Sequence, residues 1–395
     1  MQRDHVRIQS KPGRDSTPSP ARGPALLSRV ASRALLLTAG ILLAFAVVEA
    51  AVRLLDPPRM VVRLQDRDGA AIPSLFVESE NGVRLRPHAR VDVVRDKSAG
   101  RPYRIETNAL GLRGPDLGPK RVSRVLFLGD SITAGFGVDD DETFVRRIET
   151  RGRADGLRLD VVNAGLPGAS LAEELELLRE VGLATEPDLV VLGFYLNDAS
   201  PCCSRPRLLP PSRLADSWLV QRIYADLDRF LSRNHRYSDL PEAVFDRWRD
   251  EVRERLDSWD ASGVEMDPEL RAEILENAHE WGSLWSDAAW EPITASLETL
   301  SSMAQREEFA LRIVVFPTAA QVEADPTNDY PQRRIAERGR ALGIPLLDLL
   351  PTLRTATREG RGGLFYDHCH YTEAGHEQVA DRIYTFLRPD LGPGE

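Results

Sequence analysis

The 395-residue sequence predicts an α/β fold, a parallel β-sheet covered by helices, behind an N-terminal transmembrane helix. Three observations support this prediction. An uninterrupted apolar run lies near the N-terminus. From residue 122 onward, short apolar runs typical of buried strands alternate with helical patterns, and one long helical stretch without strands interrupts them. With 42% hydrophobic and 28% charged residues, the composition is that of an ordinary globular protein.

The apolar run covers Ala34–Val52 and contains Glu49 as its only ionisable residue. A helix of this length rises about 28 Å, which is close to the hydrocarbon thickness of a bilayer. We therefore predict a disordered basic cytoplasmic tail at 1–33 and a transmembrane signal-anchor at 34–55, with the rest of the chain outside the cytoplasm. Two alternatives remain open, a buried core helix and a cleaved signal peptide, since Ala44–Ala46 resembles a processing site.

The charge of the chain is distributed unevenly. Residues 1–33 contain seven basic and two acidic residues, a net charge of +5. Because the whole chain has a net charge of −10, the remaining residues have a net charge of −15. Such an acidic body, without a stripe of Lys and Arg, argues against nucleic acid as a partner.

The region after the anchor is divided by changes in its apolar pattern. Residues 56–120 contain short alternating stretches among Gly and Pro, which predict a small β-rich collar. The α/β domain is expected at 121–200 and 286–391. Between these parts, residues 201–285 have apolar residues at a spacing of three to four, which predicts a helical insertion. A helix near 287–308 then returns the chain to the sheet.

The predicted strands of the α/β domain are VLFL, LDVVN, DLVVLGFYL, LRIVVF and IPLLDLL. The second helix begins with a capping box, in which Ser170 is followed three residues later by Glu173. The residues that follow parallel strands lie together at the carboxyl edge of the sheet, where such folds bind ligands. The chemistry-bearing residues at that edge are Ser131, Gly165 and Asn197, joined by Asp367 and His370 before the last helix.

These residue types fit acyl transfer. A serine hydroxyl such as that of Ser131 becomes nucleophilic only when a base takes its proton, and His370 suits that task near neutral pH. Asp367, three residues earlier, is expected to orient the imidazole and stabilise its cation. The backbone N–H groups of Ser131 and Gly165 and the amide of Asn197 would then face the developing oxyanion.

Four blocks carry a family resemblance: GDS at 129–131, the glycine of NAG at 165, G-x-x-x-N-D at 193–198 and D-x-x-H at 367–370. In this order they resemble the SGNH (GDSL-like) hydrolase superfamily. The resemblance implies a flavodoxin-like three-layer α/β/α sandwich, with the nucleophile, base, orienting acid and oxyanion donors named above.

The anchor, the segment TNALGLRG at 107–114 and the insertion resemble a membrane-attached bacterial subgroup of that superfamily, which implies a periplasmic catalytic domain. Two departures from the family pattern are visible. Tyr371 and Thr372 follow the histidine where many members have Pro, and a long gap separates Asn197 from Asp367. The helix-forming elbow G-x-S-x-G of other serine hydrolases is excluded, because Thr133 stands where its second Gly would be.

Several polar residues near these motifs are expected to have supporting roles. Asp130 and Asp198 are predicted to stabilise loops around the site rather than to react. A disulfide between Cys369 and either Cys202 or Cys203 would connect the insertion to the turn that contains Asp367 and His370, and free thiols are the alternative. No cofactor is expected, and no metal, because the D-H-C-H run has no second cluster to complete a coordination shell.

The other histidines near the site and the tryptophans of the helical stretch each allow two interpretations. His368 competes with His370 as the base, but adjacent residues of an extended turn point opposite ways, which favours His370. His376 is expected on the last helix as a surface or packing residue. The stretch between Asn197 and Leu311 also contains all six tryptophans of the chain, and for five of them core packing is favoured over a substrate-facing lid. These five are Trp218, Trp248, Trp281, Trp285 and Trp290.

The sequence thus predicts a membrane-anchored serine esterase that acts on small acyl esters, such as acetyl groups, on a cell-envelope glycan. An O-acyltransferase that uses the same triad is one alternative, because its acyl-enzyme differs only in the acceptor. A catalytically silent membrane-bound binding module is the second alternative. The expected partners are the acylated substrate and, through residues 34–55, the lipid bilayer.

Overall fold

The computed structural model describes residues 23–72, 74–80, 82–200, 214, 216–232, 240–264, 266–324 and 329–391. Within this range the chain divides into two compact units, one that ends at Asp56 and one that begins at Pro57. Cys202 and Cys203, and most of the predicted basic tail, lie outside the described residues.

The first unit consists of one helix, α1, at Gly23–Leu55. Its segment Arg29–Leu55, 27 residues long, is long and apolar enough to cross a membrane. Glu49, the one ionisable residue of the predicted apolar run, forms an ion pair one helical turn away with Arg53. The helix therefore has the length and composition expected of a transmembrane anchor.

The second unit opens with two small antiparallel sheets. Strands β1 (Met60–Asp66), β4 (Ala89–Asp96) and β5 (Tyr103–Glu106) form one sheet in the order β1-β4-β5. Strands β2 (Phe76–Ser79) and β3 (Gly82–Leu85) form a hairpin beside it. We call residues 59–120 the collar. It belongs to the same compact unit as the α/β sheet.

The main sheet has five parallel strands in the order β10-β9-β8-β6-β7. Counted from β6, this is the order 2-1-3-4-5 of the flavodoxin-like fold, which confirms the predicted fold class. The strand order reverses between β6 and β8, and ligands of such sheets bind at this switch point. The strands are β6 (Ser123–Gly129), β7 (Leu159–Gly165), β8 (Leu189–Phe194), β9 (Ala310–Val315) and β10 (Leu346–Asp348).

Helices cover the sheet as the βαβ pattern requires. The capping box at Ser170 and Glu173 is present, and α4 begins directly after it. The crossover helix α8 lies where the sequence places it, whereas the apolar pattern had not identified α9 to α11, which flank β10. The covering helices are α2 (Ser131–Ala134), α3 (Phe144–Ala154), α4 (Leu171–Leu177), α8 (Trp290–Arg306), α9 (Ala319–Glu323), α10 (Tyr330–Ala341), α11 (Leu350–Arg358) and α12 (Glu373–Leu387).

The described part of the insertion is helical. It contains α5 (Trp218–Ser232), α6 (Glu242–Ser262), α7 (Pro268–Glu276) and a short 3₁₀ turn at Trp281–Trp285. The tryptophans of residues 248, 281, 285 and 290 are all at most 2% exposed, so they pack in the core rather than form a lid. Trp218 is half-buried, with the guanidinium of Arg95 over its ring.

Candidate active site

Ser131 lies at the junction between β6 and α2, at the switch point of the sheet. The Asp130 side chain caps α2 and accepts a hydrogen bond from the N–H of Ile132 at 2.9 Å. After only four residues the helix ends at Gly135, whose φ of 76° is left-handed. The serine side chain is thus presented at the carboxyl edge of the sheet, half-buried and still open to solvent.

Gly165 is required for the way α2 sits on the sheet. A Cβ atom at this position would overlap the backbone of Ala134 and lie 2.7 Å from the carbonyl carbon of Thr133. In the structure, the space beside it is filled by the short helix that begins with Ser131.

His370 connects Ser131 and Asp367. Its Nε2 lies 2.9 Å from Ser131 Oγ, and its Nδ1 lies 2.8 Å from Asp367 Oδ2. The other carboxylate oxygen, Asp367 Oδ1, accepts hydrogen bonds from the backbone N–H groups of Cys369 and His370 at 2.9 and 2.8 Å. The carboxylate therefore closes the turn and holds the imidazole with the same side chain.

Asp367 and His370 shift each other's pKa in the directions that favour their charged forms. Burial acts to raise the pKa of Asp367, but the hydrogen bond and charge of His370 and two backbone N–H groups outweigh it, and the net pKa lies well below its usual range. For His370, burial acts to lower the pKa, but Asp367 overcomes this with help from Asp130 and the collar residue Asp96. The pKa of His370 is therefore raised, which favours an imidazolium paired with a carboxylate.

The two competing histidines have different surroundings. His368 is exposed, with its ring 6.3 Å from that of His370, and its carbonyl oxygen accepts a hydrogen bond from Ala319. His376 is buried in α12 and stacks on Phe144, so it is a packing residue rather than a surface residue. Of the histidines that the structure describes, only His370 is within hydrogen-bonding distance of Ser131 Oγ.

The three predicted oxyanion donors differ in the hydrogen bonds that they already make. The N–H of Ser131 belongs to the first turn of α2, where N–H groups have no partner within the helix. The N–H of Gly165 donates to Asn163 Oδ1 at 3.0 Å, while Asn163 Nδ2 donates to the carbonyl of Thr133 at 2.8 Å. Asn197 is buried, and its amide stabilises the Asp130 carboxylate.

Three buried carboxyl groups lie behind the site. Burial raises the pKa of Asp130, and the N–H of Ile132 and the charge of His370 offset only part of this rise. Burial also raises the pKa of Asp198 and of Glu174, and the charge of Asp130 adds to both shifts. For Glu174, the charge of Asp198 raises the pKa further. Asp198 additionally accepts the N–H of Tyr195 at 3.2 Å. Glu174 gave no signal in the sequence, because it stands among the acidic residues of an ordinary amphipathic helix.

Aromatic rings enclose the imidazole of His370. Tyr366 stacks on it, with ring centroids 5.6 Å apart and planes 13° apart, and Phe136 lies on another side at 6.2 Å. A Cβ atom at Gly137 would overlap the Tyr366 ring, so this glycine, at a φ of 90°, leaves room for it. These contacts join distant chain segments, and no sequence motif had indicated them.

The residues that depart from the family pattern have clear structural tasks. Tyr371 is buried and packs on Phe365 with a centroid distance of 4.6 Å. Thr372 caps α12, accepting from the N–H of Gly375 at 3.2 Å and donating to the carbonyl of Gly363 at 2.6 Å. A hydroxyl cap therefore starts the last helix here, where many family members use Pro.

Cys369 is buried and forms no disulfide within the described residues, but its proposed partners Cys202 and Cys203 lie outside them, so the disulfide stays a prediction. Ligand atoms of Asp367, Cys369 and His370 lie within 4.8 Å of one another. Burial raises the pKa of the Cys369 thiol well above its usual range, which favours the neutral form and disfavours metal binding.

A family model and several solved structures match this chain. The model of the GDSL-like lipase/acylhydrolase family matches residues 127–378, which is more than half of the chain. A comparison with curated proteins finds no match.

Several solved structures are similar at low sequence identity. An acetyl xylan esterase has 14% identity and a TM-score of 0.38, covering 67% of this chain and 99% of its own. A lipase/acylhydrolase from Enterococcus faecalis has 20% identity and a TM-score of 0.39, covering 69% of this chain and 99% of its own. An acetylxylan esterase from Geobacillus stearothermophilus has 15% identity and a TM-score of 0.39, covering 68% and 94%.

Proposed function

The chain belongs to the GDSL-like lipase/acylhydrolase family of ester hydrolases, and we propose that it is a membrane-anchored serine esterase that removes small acyl groups from a cell-envelope glycan. The observation that carries the mechanism is the chain of two contacts from Ser131 Oγ through the His370 imidazole to the Asp367 carboxylate, at 2.9 and 2.8 Å.

In the first step, His370 Nε2 accepts the proton of Ser131 as Oγ attacks the carbonyl carbon of the ester. The imidazolium formed is stabilised by Asp367, whose low pKa keeps it ionised throughout the working range of pH. The negative charge moves to the carbonyl oxygen, which the N–H of Ser131 and the amide of Asn197 are proposed to bind. Each such donor typically contributes about 3 kcal/mol to lowering the barrier.

In the second step, the tetrahedral intermediate collapses. His370 gives its proton to the leaving alkoxide, so the alcohol departs and the acyl group stays on Ser131 Oγ. Water then attacks the acyl-enzyme while His370 takes a proton from it, and the carboxylic acid leaves with Ser131 restored. Each proton that His370 takes is returned within the same half-reaction.

The hydrogen bond between Gly165 and Asn163 bears on the third predicted oxyanion donor. Since that N–H already donates to Asn163 Oδ1, a substrate oxygen has to share it or displace the side-chain amide. The Asn197 amide has two hydrogens, so it can donate one to the substrate oxygen while the other stabilises the Asp130 carboxylate. We therefore assign the main stabilisation to Ser131 and Asn197, and a smaller part to Gly165.

The proposed location and substrate rest on the N-terminal helix. A basic leader before α1 favours a cytoplasmic N-terminus, with the catalytic unit in the periplasm. A catalytic unit tethered there would meet the esters of envelope glycans. Ser131 is half-buried beside an imidazole that is flanked by the rings of Phe136 and Tyr366, and this crowding favours small acyl groups over long chains.

The full chain in detergent, assayed on nitrophenyl acetate and on longer-chain nitrophenyl esters, tests this proposal. We expect turnover of the acetyl ester that falls with chain length. Ser131→Ala should abolish it, while His368→Ala, which changes the exposed neighbouring histidine, should retain it. Wild-type rates in Ser131→Ala would refute the mechanism.

Addition of a glycan acceptor to the same assay distinguishes an esterase from a transferase. A simple esterase releases acetate at a rate that does not depend on the acceptor. Acetylation of the acceptor, with a matching decrease of free acetate, would replace the hydrolase proposal by the O-acyltransferase alternative, in which a sugar hydroxyl intercepts the same acyl-enzyme.

A further inference from the structure

Arg113 of the collar reaches across to the loop that follows Ser131. It is only 3% exposed and lies at the end of the TNALGLRG segment. The Asn108 side chain shapes this segment by accepting the N–H groups of Leu110 and Leu112 at 2.9 and 3.0 Å. The backbone N–H of Arg113 then donates to the carbonyl of Asn163 at the end of β7, at 3.2 Å.

All five donor positions of the guanidinium are used. Nη1 donates to the carbonyl oxygens of Ala134 and Gly135, and Nη2 donates to those of Val138, at 2.8 Å, and Arg104, at 3.2 Å. Nε donates to Asp140 Oδ1 at 2.6 Å. Three of the four carbonyl groups belong to the stretch 134–138 that follows Ser131.

This arrangement matters because α2 is too short to hold its own position. A helix of four residues leaves most of its carbonyl groups without partners inside the helix. Arg113 binds the carbonyl groups at its end with a planar fork of donors, whereas the three donors of a lysine ammonium cannot match that geometry. The carbonyl positions at the end of α2 in turn fix the helix that begins with Ser131.

We propose that Arg113 is a positioning residue for the nucleophile, so that the collar is a working part of the active site. This inference rests on the proposed function, in which Ser131 Oγ must lie within proton-transfer distance of His370 Nε2. A shift of about 1 Å in a reacting group can lower a rate by about 100-fold. Loss of the fork is therefore expected to lower kcat while the substrate contacts, and hence KM, change little.

Arg124 provides a matched control at the opposite end of β6. It is also 3% exposed, donates to the carbonyls of Thr185 and Gly118, and forms an ion pair with Asp160 at 3.2 Å. Arg124→Lys removes a buried fork of similar size from β6, at the end of this strand that is far from Ser131. Its effect on stability should resemble that of Arg113→Lys.

The experiment compares Arg113→Lys and Arg124→Lys in the full-length protein, with rates corrected for the folded fraction. We expect Arg113→Lys to lower kcat by about 10- to 100-fold with KM within about twofold, and Arg124→Lys to keep the wild-type kcat. An equal loss of kcat in both variants, or a wild-type kcat in Arg113→Lys, would overturn the inference.

Hydrogen exchange measured by mass spectrometry tests the same inference without any assay of activity. Arg113→Lys should speed exchange in the peptide that covers residues 131–138, and Arg124→Lys should leave that peptide unchanged. Unchanged exchange in Arg113→Lys would refute the inference even if the esterase proposal holds. If Arg113→Lys speeds exchange at 131–138 but the wild-type protein has no esterase activity, only the proposed function is refuted.

A milder variant covers the case in which Arg113→Lys does not fold. Asp140→Asn removes the charge that faces Nε, on a carboxylate that is 30% exposed, and leaves the four carbonyl contacts in place. A few-fold loss of kcat with faster exchange at 131–138 is expected, and no change in either would contradict the inference.

Discussion

Two histidines six residues apart have opposite electrostatic surroundings. In the turn at 366–370, which we call the catalytic turn, His370 has a carboxylate on one ring nitrogen and a hydroxyl on the other. At the start of α12, His376 is 1% exposed and accepts one hydrogen bond at Nδ1, from the N–H of Phe144 at 3.2 Å. Among the described residues its Nε2 has no partner.

The difference shows that burial alone does not determine how a histidine titrates. Burial lowers the pKa of His376 to about 3, helped by the positive charges of Arg113, Arg147 and His370. His370 experiences the same desolvation, but Asp367 reverses its effect. A neutral histidine therefore fills the core beneath a histidine that can carry a proton.

The largest expected effect on catalysis comes from removing the Asp367 carboxylate, which raises the pKa of His370 and has no counterpart at His376. Asp367→Asn should lower kcat by about 10⁴-fold, because the amide cannot stabilise the imidazolium and favours the wrong tautomer of His370. Steady-state kinetics on nitrophenyl acetate measure this. His376→Asn is the control and should retain the wild-type kcat. A loss below tenfold in Asp367→Asn would show that His370 needs no partner.

The next effect concerns stability in acid. Between pH 6.5 and 3 the unfolded state binds a proton at His376 that the folded state does not bind. The contribution of this group to the free energy of unfolding should therefore fall by about 1.4 kcal/mol for each unit by which the pH is lowered. In His376→Asn the amide oxygen can still accept the Phe144 N–H but does not titrate.

Urea unfolding of wild type and His376→Asn at pH 6.5, 5.5 and 4.5 isolates that contribution, since all other groups are shared. The stability difference between the two proteins should change with pH in favour of the variant as the solution becomes more acidic. Parallel pH profiles would mean that His376 is not buried in its neutral form.

The smallest effect concerns the pH profile of catalysis. Only the neutral form of His370 accepts the serine proton, and Asp367 raises its pKa. Therefore kcat/KM should rise with pH through a midpoint above the ordinary histidine value of about 6.5. His376→Asn should leave the midpoint in place. The residual activity of Asp367→Asn should have a lower midpoint, and an unchanged midpoint there would contradict the assigned cause.

Much of the site follows from chain position. Ser131, Gly165 and Asn197 each stand where a parallel strand ends, and strand ends of one sheet meet at one edge. The spacing of Asp367 and His370 also fits the turn in which both occur. Arg113 was quoted within a motif, but its role was not predicted, because its partners are backbone carbonyl groups and a sequence does not show where those point.

The sequence by itself determined the fold class, the long apolar N-terminal helix and the order of the chemical groups, because hydrophobic periodicity and turn residues are local properties of the chain. Only the tertiary structure decided which N–H groups already have partners, which carboxyl groups are buried together and in which direction the pKa of each histidine is shifted. Those properties depend on desolvation and on charges brought from distant segments, such as Asp96 and Arg113 of the collar, and no local pattern encodes such distances.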